Sequence, residues 1–304
     1  DILFVAGAGR SGSTVLAQVL GQVDGLVSVG ETRHVWSRGV VENQLCGCGS
    51  AFGECSFWQR VVRDQLGLTA EDVNNRILPL QRQVDGISQI PRLFWQGLRS
   101  SDDQKSIDEY VAILGDLLRA IRDVSGDSIV IDASKTAMHG LLLTMIPGAK
   151  VHVLHLVRDP RAVAFSWRRK RKRPEVTSGN ALMPRYSLLK SSIWWAGANV
   201  FSERLERHAA SYHRARYEDF IANPLESTQR ILTSAGVEPG PLEFISPSEV
   251  HLQPEHSVAG NPSRFSTGAI RLRVDEEWKH SMSIAARGLV SCLTGRLLGR
   301  YGYR

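Results

Sequence analysis

Glycine and hydroxyl residues cluster near the start of the chain, in the segment Gly7–Thr14 (GAGRSGST). The segment follows an apolar run typical of a buried strand and precedes a stretch with helical periodicity. Glycines let backbone N–H groups curl around an anion, and the N-terminus of the following helix adds partial positive charge. Ser13 and Thr14 can donate hydroxyl hydrogen bonds to phosphate oxygens. This context predicts a phosphate-binding loop, and a glycine turn without a ligand is the alternative.

Ser13 stands where a nucleotide kinase with this loop has lysine. In the G-x-x-x-x-G-K-S/T pattern, that lysine contacts the β- and γ-phosphates and the next hydroxyl holds magnesium. Its absence argues against triphosphate chemistry, and the positive charge lies inside the loop on Arg10 instead. The segment also fits G-x-G-x-x-G, but only Glu31 lies near the distance at which a dinucleotide site has its acid. The glycines alone therefore leave the ligand open.

A second basic element lies at the end of a later predicted strand. Arg158 ends the strand, Pro160 suits the first turn of a helix, and Ser166 follows about two turns into that helix. Arg158 and Ser166 could reach one phosphate at the carboxyl edge of a parallel sheet, where α/β proteins bind their ligands. A guanidinium fork together with a hydroxyl predicts a clamp for a monophosphate.

Glu31 and Lys135 follow two further predicted strands. A carboxylate at the sheet edge could take the proton of an attacking hydroxyl, which contributes roughly 100- to 10,000-fold in rate. The alternatives are a first-turn helix acid for Glu31 and a surface lysine for Lys135. His34 and His155 are rival bases. His34 lies one helical turn after Glu31 and could orient it, whereas His155 lies within a strand, as a buried core histidine does.

Alternating strands and helices predict the architecture that positions these residues. Five short apolar runs are predicted to be buried strands: Ile2–Ala6, Leu26–Val29, Ser128–Ile131, Lys150–Leu156 and Arg214–Tyr217. Helical periodicity separates them, most clearly over Asp108–Arg122. The alternation predicts a parallel sheet covered by helices on both faces. Residues 42–100 are predicted to form a helical insertion, and residues 238–275 a long ordered or closing loop.

Taken together, these segments resemble the sulfotransferases that use 3′-phosphoadenosine 5′-phosphosulfate (PAPS). The glycine loop is similar to that family's 5′-phosphosulfate loop, R-S-G-S/T-T, and Arg158–Ser166 is similar to its 3′-phosphate element. Arg216–Asp219 (RYED) before Pro224 is similar to the R-Y-E-D…P stretch of the family. His256–Arg264 is similar to the closing loop of many bacterial members.

The resemblance implies a three-layer, P-loop-like α/β fold with about five parallel strands. It implies transfer of the sulfuryl group from PAPS to an acceptor hydroxyl, or to an amine, with release of adenosine 3′,5′-bisphosphate (PAP) and no metal requirement. The catalytic residues it implies are Glu31, Arg10 and Lys135. The implied nucleotide-binding residues are Gly9, Arg10, Ser11, Gly12, Ser13, Thr14, Arg158, Ser166, Tyr217, Ser257, Gly260, Asn261 and Arg264. The alternatives are a P-loop kinase and a nucleotide-binding module without catalysis.

Composition and charge limit the kinds of partner and the cellular location that we expect for this protein. The chain has 304 residues and a formal charge of +6, an excess that suits an anionic ligand better than a nucleic-acid partner. No apolar run approaches the roughly 20 residues that span a bilayer, and no signal peptide is visible. We therefore expect a single domain over residues 1–304, acting in the cytoplasm on a small-molecule, glycan or lipid acceptor, with the insertion shaping the acceptor pocket.

Two further features have open interpretations. Cys46, Cys48 and Cys55 resemble a metal knuckle, but a structural zinc site needs a fourth ligand and Cys292 is far away in the sequence. Free buried thiols or a local disulfide are therefore preferred over zinc. Residues Arg168–Arg173 form a basic run that could attract an anionic acceptor or a membrane surface. A solvated helix end is the preferred interpretation of that run.

Overall fold

One parallel sheet forms the centre of the molecule. The computed structural model describes residues 1–86, 89, 100–175 and 182–303. Five strands lie side by side in the order β2-β3-β1-β4-β5, and each neighbouring pair is parallel. Their bounds are β1 Ile2–Gly7, β2 Leu26–Ser28, β3 Ile129–Lys135, β4 Val151–Val157 and β5 Ser211–Arg216. The five strands predicted from apolar runs are confirmed, with ends that shift by a few residues.

Apolar side chains on alternating positions build a core on each face of the sheet. In β1, Ile2 and Phe4 pack into one core cluster, whereas Leu3 and Val5 pack into the other. Successive side chains of a strand point to opposite faces, so an unbroken apolar strand is buried on both sides. This is why the central strands lack the alternation of polar residues that a one-sided sheet would show.

Helices cover both faces, as the alternating pattern predicts. Among the described residues, the α-helices of five or more residues are α1 Ser13–Leu20, α2 Leu78–Val84, α3 Ser101–Ser125, α4 Ala137–Thr144, α5 Pro160–Arg168, α6 Leu188–Arg204, α7 Tyr217–Ala222, α8 Pro224–Ser234, α9 Glu277–Ser281 and α10 Ile284–Arg300. Residues of α3 and α4 join one core cluster, and residues of α1 and α8 join the other. The three-layer α/β architecture is thus confirmed. No helix among the described residues is both long and apolar enough to cross a bilayer.

The segment between β2 and α3 is largely helical, and much of it is π-helix. It contains π-helical stretches over Val35–Val41, Gln59–Gln65 and Val73–Ile77, joined by short 3₁₀ and α-helical turns at Thr32–His34, Phe52–Glu54, Ser56–Trp58 and Ala70–Asp72. Helical structure therefore begins at Thr32, earlier than the predicted insertion over residues 42–100. Within that insertion, residues 87–88 and 90–99 lie outside the described residues.

The late segment, predicted as a loop, contains an antiparallel hairpin. Strands β6 Glu249–Leu252 and β7 Gly268–Arg271 pair with each other, and the loop between them reaches the sheet edge. There the Val258 N–H donates to the Val29 carbonyl, and the Glu31 N–H donates to the Val258 carbonyl. The loop thereby pairs in parallel with Gly30, just after β2, through hydrogen bonds of the kind that join the strands of the sheet.

Candidate functional site

The carboxyl ends of the parallel strands surround one cavity of about 500 Å³. Of the candidate residues, twelve line it: Gly9, Arg10, Gly12, Ser13, Thr14, Glu31, Lys135, Arg158, Ser166, Tyr217, Gly260 and Asn261. A wider cleft of about 1160 Å³ beside Arg161 and Trp278 shares only Arg158 and Asp275 with this cavity and contains no part of the glycine loop. The chemistry-bearing residues therefore converge on the smaller cavity.

The glycine loop owes its shape to two positions that exclude a side chain. Gly12 caps α1 in the left-handed region, with φ +88°, and a Cβ there would lie 2.3 Å from the Tyr217 ring. Gly7 has φ +133°, and its Cβ would lie 2.4 Å from the Leu156 carbonyl oxygen. L-residues rarely adopt such φ values, and both neighbours are already in contact. The loop therefore folds tightly between β1, β4 and α7.

Arg158 reaches from the end of β4 to the glycine loop. Its Nη1 donates to the Arg10 carbonyl oxygen at 3.0 Å, and its guanidinium lies 4.6 Å from the centre of the Tyr217 ring. The residue is buried, and its own carbonyl accepts a hydrogen bond from Trp195 Nε1 at 2.9 Å. Ser166 is buried in α5, the helix that follows Arg158, and lines the same cavity. The two basic elements of the sequence thus share one binding volume.

Arg10 is a cation without a carboxylate partner in the described part of the chain. Its guanidinium lies 4.8 Å from the centre of the Trp167 ring, and Nη2 donates to Met183 Sδ at 2.9 Å. Burial, and then the charge of Arg171, lowers the pKa of Arg10 to about 10. Arg10 therefore stays charged at neutral pH, although its surroundings disfavour the charge. An anion in the cavity would relieve both effects.

Glu31 and Lys135 form a partly buried ion pair at the opposite side of the cavity. Lys135 Nζ lies 2.5 Å from Glu31 Oε1 and also donates to the Ala133 carbonyl at 3.0 Å. Burial, the largest single influence on Glu31, favours the protonated acid. The Lys135 ammonium is the main influence against it, and the pKa of Glu31 ends below its ordinary value. Glu31 is therefore ionised at neutral pH and can accept a proton.

A buried hydrogen-bond network holds the two turns that carry this pair. Asp132 in β3 accepts bonds from the backbone and hydroxyl of Thr32 and from the backbone of Ser134, the residues next to Glu31 and Lys135. His139 Nε2 lies 3.0 Å from Asp132 Oδ2. Since Asp132 is fully buried, removing one of these partners would leave a buried charge undercompensated. The network positions Glu31 and Lys135 without contacting the cavity.

Neither rival histidine lines the cavity. His34 Nε2 lies 3.5 Å from Glu31 Oε2, and burial lowers the pKa of His34 to about 3, so the ring is neutral at neutral pH. His155 is fully buried between the Tyr212 hydroxyl, at 2.7 Å, and Asn199 Oδ1, at 2.8 Å. His155 is therefore a satisfied core histidine. His34 lies beside the Glu31 carboxylate.

The closing loop meets the glycine loop through its backbone. Asn261 N–H donates to Thr14 Oγ1 at 3.2 Å, and a Cβ on Gly260 would lie 3.4 Å from the same oxygen. Arg264, predicted to contact the nucleotide, instead donates to the carbonyls of Ser257 at 2.7 Å and Leu45 at 2.8 Å. The Ser257 and Ser11 hydroxyls are likewise buried away from the cavity. These three side chains therefore do not line the cavity, and contacts between them and a nucleotide stay predictions.

Several cavity residues were missed by the sequence analysis. Among the described residues, seven basic and two acidic side chains line the cavity, an imbalance that favours a polyanionic ligand. The basic side chains outside the predicted set are Arg38, Arg171, Arg271 and Arg273. Arg171 belongs to the basic run for which a solvated helix end is the preferred interpretation, and the structure places Arg171 in the cavity lining. The high density of positive charge in this run was the feature of the sequence that could have indicated a residue of an anion-binding cavity.

A parallel sheet with a glycine loop after its central strand and a cationic cavity at its carboxyl edge defines an α/β protein of P-loop-like type. Residues 2–240 match the family model described as "Sulfotransferase family", and the chain belongs to that family. The expected membership is thereby confirmed, and the protein is a sulfotransferase.

Two solved structures share the fold over the whole chain. The sulfotransferase domain from the curacin biosynthetic pathway is 17% identical with a TM-score of 0.55, covering 100% of this chain and 98% of that one. The sulfotransferase domain from the Synechococcus PCC 7002 olefin synthase is 18% identical with a TM-score of 0.56, covering 100% and 94%. At these identities the likeness concerns the fold. A search of curated proteins found no significant match.

Proposed function

We propose that this sulfotransferase takes its sulfuryl group from PAPS, transfers it to an acceptor hydroxyl or amine, and releases PAP. The observation that carries the proposal is the hydrogen bond between Arg158 Nη1 and the Arg10 carbonyl. It joins the glycine loop and the second basic element at one cavity, so that a ligand with two separate phosphate groups can contact both. The volume of about 500 Å³ lies in the range of small-molecule sites.

Each end of the donor has a matching set of groups. The backbone N–H groups of the glycine loop, with the Ser13 and Thr14 hydroxyls, would hold the 5′-phosphosulfate at the N-terminus of α1. Arg158 and Ser166 would hold the 3′-phosphate, which distinguishes PAPS from other adenylates. Tyr217 would lie beside the nucleotide. Its ring already contacts both Gly12 and Arg158, so it spans the distance between the two phosphate sites.

The Glu31–Lys135 pair supplies the chemistry of the transfer step. As the acceptor oxygen bonds to sulfur, the bond between sulfur and the bridging oxygen of the 5′-phosphate breaks, and PAP leaves with the electron pair. The acceptor proton moves to the Glu31 carboxylate. A carboxylate with a lowered pKa is a weak base, but the acceptor oxygen becomes acidic once it begins to bond sulfur. Lys135 and Arg10 would stabilise the charge on the sulfuryl and phosphate oxygens.

The cavity has no free lysine, among the residues that line it, in the position that a kinase would need for triphosphate chemistry. Ser13 replaces the lysine that would contact the β- and γ-phosphates, and Lys135 is already paired with Glu31. The alternative of a nucleotide-binding module without catalysis leaves the Glu31–Lys135 pair without a purpose in the cavity. A small-molecule, glycan or lipid acceptor, and a cytoplasmic location, remain parts of the proposal. The acceptor would approach beside Glu31 and Arg38, with the insertion over residues 42–100 shaping its pocket.

Calorimetric titration with PAP and with ATP tests the donor assignment. We expect PAP to bind more tightly than ATP, without magnesium. Arg158→Gln should weaken PAP binding by about 10- to 100-fold, because a hydrogen bond to a charged group contributes about 1.5–3 kcal/mol. Arg63→Gln, which removes an exposed arginine paired with Asp64, is the matched control and should leave the affinity unchanged. Tighter binding of magnesium-ATP, or no heat with PAP, would contradict the assignment.

The reaction itself is tested with PAPS and a library of hydroxyl and amine compounds. Mass spectrometry should find a product heavier by one SO₃ group together with an equal amount of PAP. Binding of PAP without any product, across acceptors of all these classes, would favour the module without catalysis.

A further inference from the structure

Three cysteines and one histidine meet beneath the closing loop, outside the cavity. The ligand atoms of Cys46, Cys48, Cys55 and His256 all lie within 4.8 Å of one another. His256 comes from a loop some 200 residues later in the chain, and it supplies the fourth ligand that the sequence analysis lacked. We propose that these four side chains bind one structural zinc ion.

The distances within the cluster fit a tetrahedral ion. Zinc–ligand bonds of about 2.3 Å to sulfur and about 2.0–2.1 Å to nitrogen place two sulfurs about 3.8 Å apart and sulfur and nitrogen about 3.6 Å apart. Cys48 Sγ lies 3.7 Å from Cys55 Sγ, and His256 Nδ1 lies 3.2 Å from Cys55 Sγ and 3.9 Å from Cys46 Sγ. A disulfide would need about 2.05 Å between sulfurs, and all three cysteines are free.

The backbone around the cysteines forms a tight knuckle. Cys46 N–H donates to the Ser50 carbonyl at 2.8 Å, and Gly49 N–H donates back to the Cys46 carbonyl at 2.9 Å. Gly49 turns the chain with φ +91°. A Cβ on Gly47 would lie 2.4 Å from Ser257 Oγ, so only glycine lets the knuckle pack against the loop that carries His256. The knuckle therefore holds Cys46 and Cys48 next to their partner across the fold.

The histidine is held with one nitrogen toward the sulfurs. The His256 ring stacks on Phe57 with centroids 4.8 Å apart and planes 2° from parallel. Trp58 Nε1 donates to the His256 carbonyl at 2.9 Å. Both aromatic residues lie within three residues of Cys55, so the segment that supplies one ligand also orients another. The stacking fixes the plane of the ring, and the bond to the carbonyl fixes the backbone that carries it.

The chemistry of the ligand set selects zinc and a structural role. Soft thiolates with one imidazole favour zinc, and four protein ligands leave no open position for a substrate. Three thiolates around a divalent ion carry a net negative charge. Arg264 lies beside it, donating to the carbonyl of Leu45, the residue before Cys46.

The ion would join the insertion to the closing loop. Residues 46–55 come from the insertion, whereas His256 leads into Val258 and Asn261. Val258 bonds to the Val29 carbonyl and to the Glu31 N–H, and the Asn261 N–H bonds to Thr14. Without the ion, this loop is held to the insertion by a few hydrogen bonds and apolar contacts. The zinc ion therefore fixes the wall of the cavity that carries Gly260 and Asn261, at a distance from the reacting atoms.

Metal content measured by mass spectrometry tests the site directly. The full chain, purified with zinc in the growth medium and freed of any affinity tag, should hold about one zinc ion per molecule. Cys55→Ser and His256→Ala should reduce this to near zero. Cys292→Ser, which changes the exposed cysteine of α10 outside the cluster, is the matched control and should keep one ion. Absence of zinc from the wild type, or retention in both ligand variants, would overturn the proposal.

Cobalt substitution in the wild type keeps the test valid if the ligand variants fail to fold. Cobalt(II) exchanged into the site should show thiolate charge-transfer bands and the intense d–d bands of tetrahedral coordination. Octahedral cobalt bands, four freely titrating thiols in the purified protein, a Cys48–Cys55 disulfide or the colour of an iron–sulfur cluster would each overturn it. Zinc content is read independently of PAP binding, so failure of the donor assignment and failure of the metal site are distinguishable.

Discussion

The two sides of the cavity differ in how their charges are balanced. The side at the ends of β1 and β4 carries Arg10, which has no carboxylate partner among the described residues, and Arg158, whose Nη2 lies 3.5 Å from Asp275. The side at the ends of β2 and β3 carries Glu31 and Lys135 as a close pair. Unbalanced positive charge suits the binding of an anion, whereas a neutral pair suits the transfer of a proton.

The two sides also differ in how the backbone holds them. The first relies on the left-handed turn at Gly12 and on regular strand and helix ends, which are local features. The second relies on Asp132, a buried carboxylate that bonds to residues on both turns. A local turn positions main-chain donors well. A cross-strand network is needed when two side chains from separate turns must meet within hydrogen-bond distance.

The largest effect is expected for a substitution of Glu31, which should impair proton transfer but not the binding of PAP. Glu31→Gln should lower kcat by roughly 100- to 10,000-fold, because the amide cannot accept the acceptor's proton. PAP affinity should not weaken, because the anion-binding side is untouched. Turnover is measured with an acceptor found in the library, and affinity by calorimetry. Glu71→Gln, at an exposed position, is the control, and full turnover by Glu31→Gln would remove Glu31 from the mechanism.

A smaller effect is expected from the other member of the pair. Lys135→Met should lower kcat by about 100-fold, the usual consequence of losing one charge-stabilising donor. Lys135 also lowers the pKa of Glu31. Without Lys135 the pKa of Glu31 should rise. Because activity requires ionised Glu31, the loss of activity on acidification should begin at a higher pH in this variant. The measurement is the pH profile of kcat.

Lys105→Met removes an exposed lysine of α3 and is the control for that profile. An acid limb that stays at the wild-type pH in Lys135→Met would show that Glu31 and Lys135 are not coupled in the active enzyme. The charge of Lys135 would then not explain the difference between the two sides of the cavity.

The smallest effect concerns the anion-binding side. Gly12→Ala should weaken PAP binding by roughly 10-fold, since a left-handed alanine costs about 1–2 kcal/mol and its Cβ meets the Tyr217 ring. Gly67→Ala is a matched control, because Gly67 has φ +62° with nothing within 4 Å of a Cβ. It should lower stability to a similar degree but leave PAP affinity unchanged. Equal affinity losses in both variants would show that strain alone, and not the contact with Tyr217, disturbs the loop.

Local sequence was sufficient for the elements that depend on local physics. Apolar runs predicted the central strands β1, β3 and β4, because a strand buried on both faces has no polar alternation to confuse it. The edge strand β5 is polar and partly exposed, and only part of it was predicted. The spacing of Gly7 and Gly12 and the position of Arg158 after a strand predicted one sheet edge, since carboxyl ends of parallel strands share an edge. The structure brings these residues to one cavity. The π-helical turns and the β6–β7 hairpin were missed, as both depend on packing that local patterns do not encode.

The sequence by itself thus determined the sheet, the glycine loop and the family, because backbone preferences and apolar periodicity act between near neighbours. Only the tertiary structure decided that Arg264 donates to buried carbonyls, that Arg171 enters the cavity, and that His256 joins three distant cysteines. The direction of a long polar side chain is set by whichever partners packing brings within reach. Those partners lie up to some two hundred residues away in the chain, where no spacing rule applies.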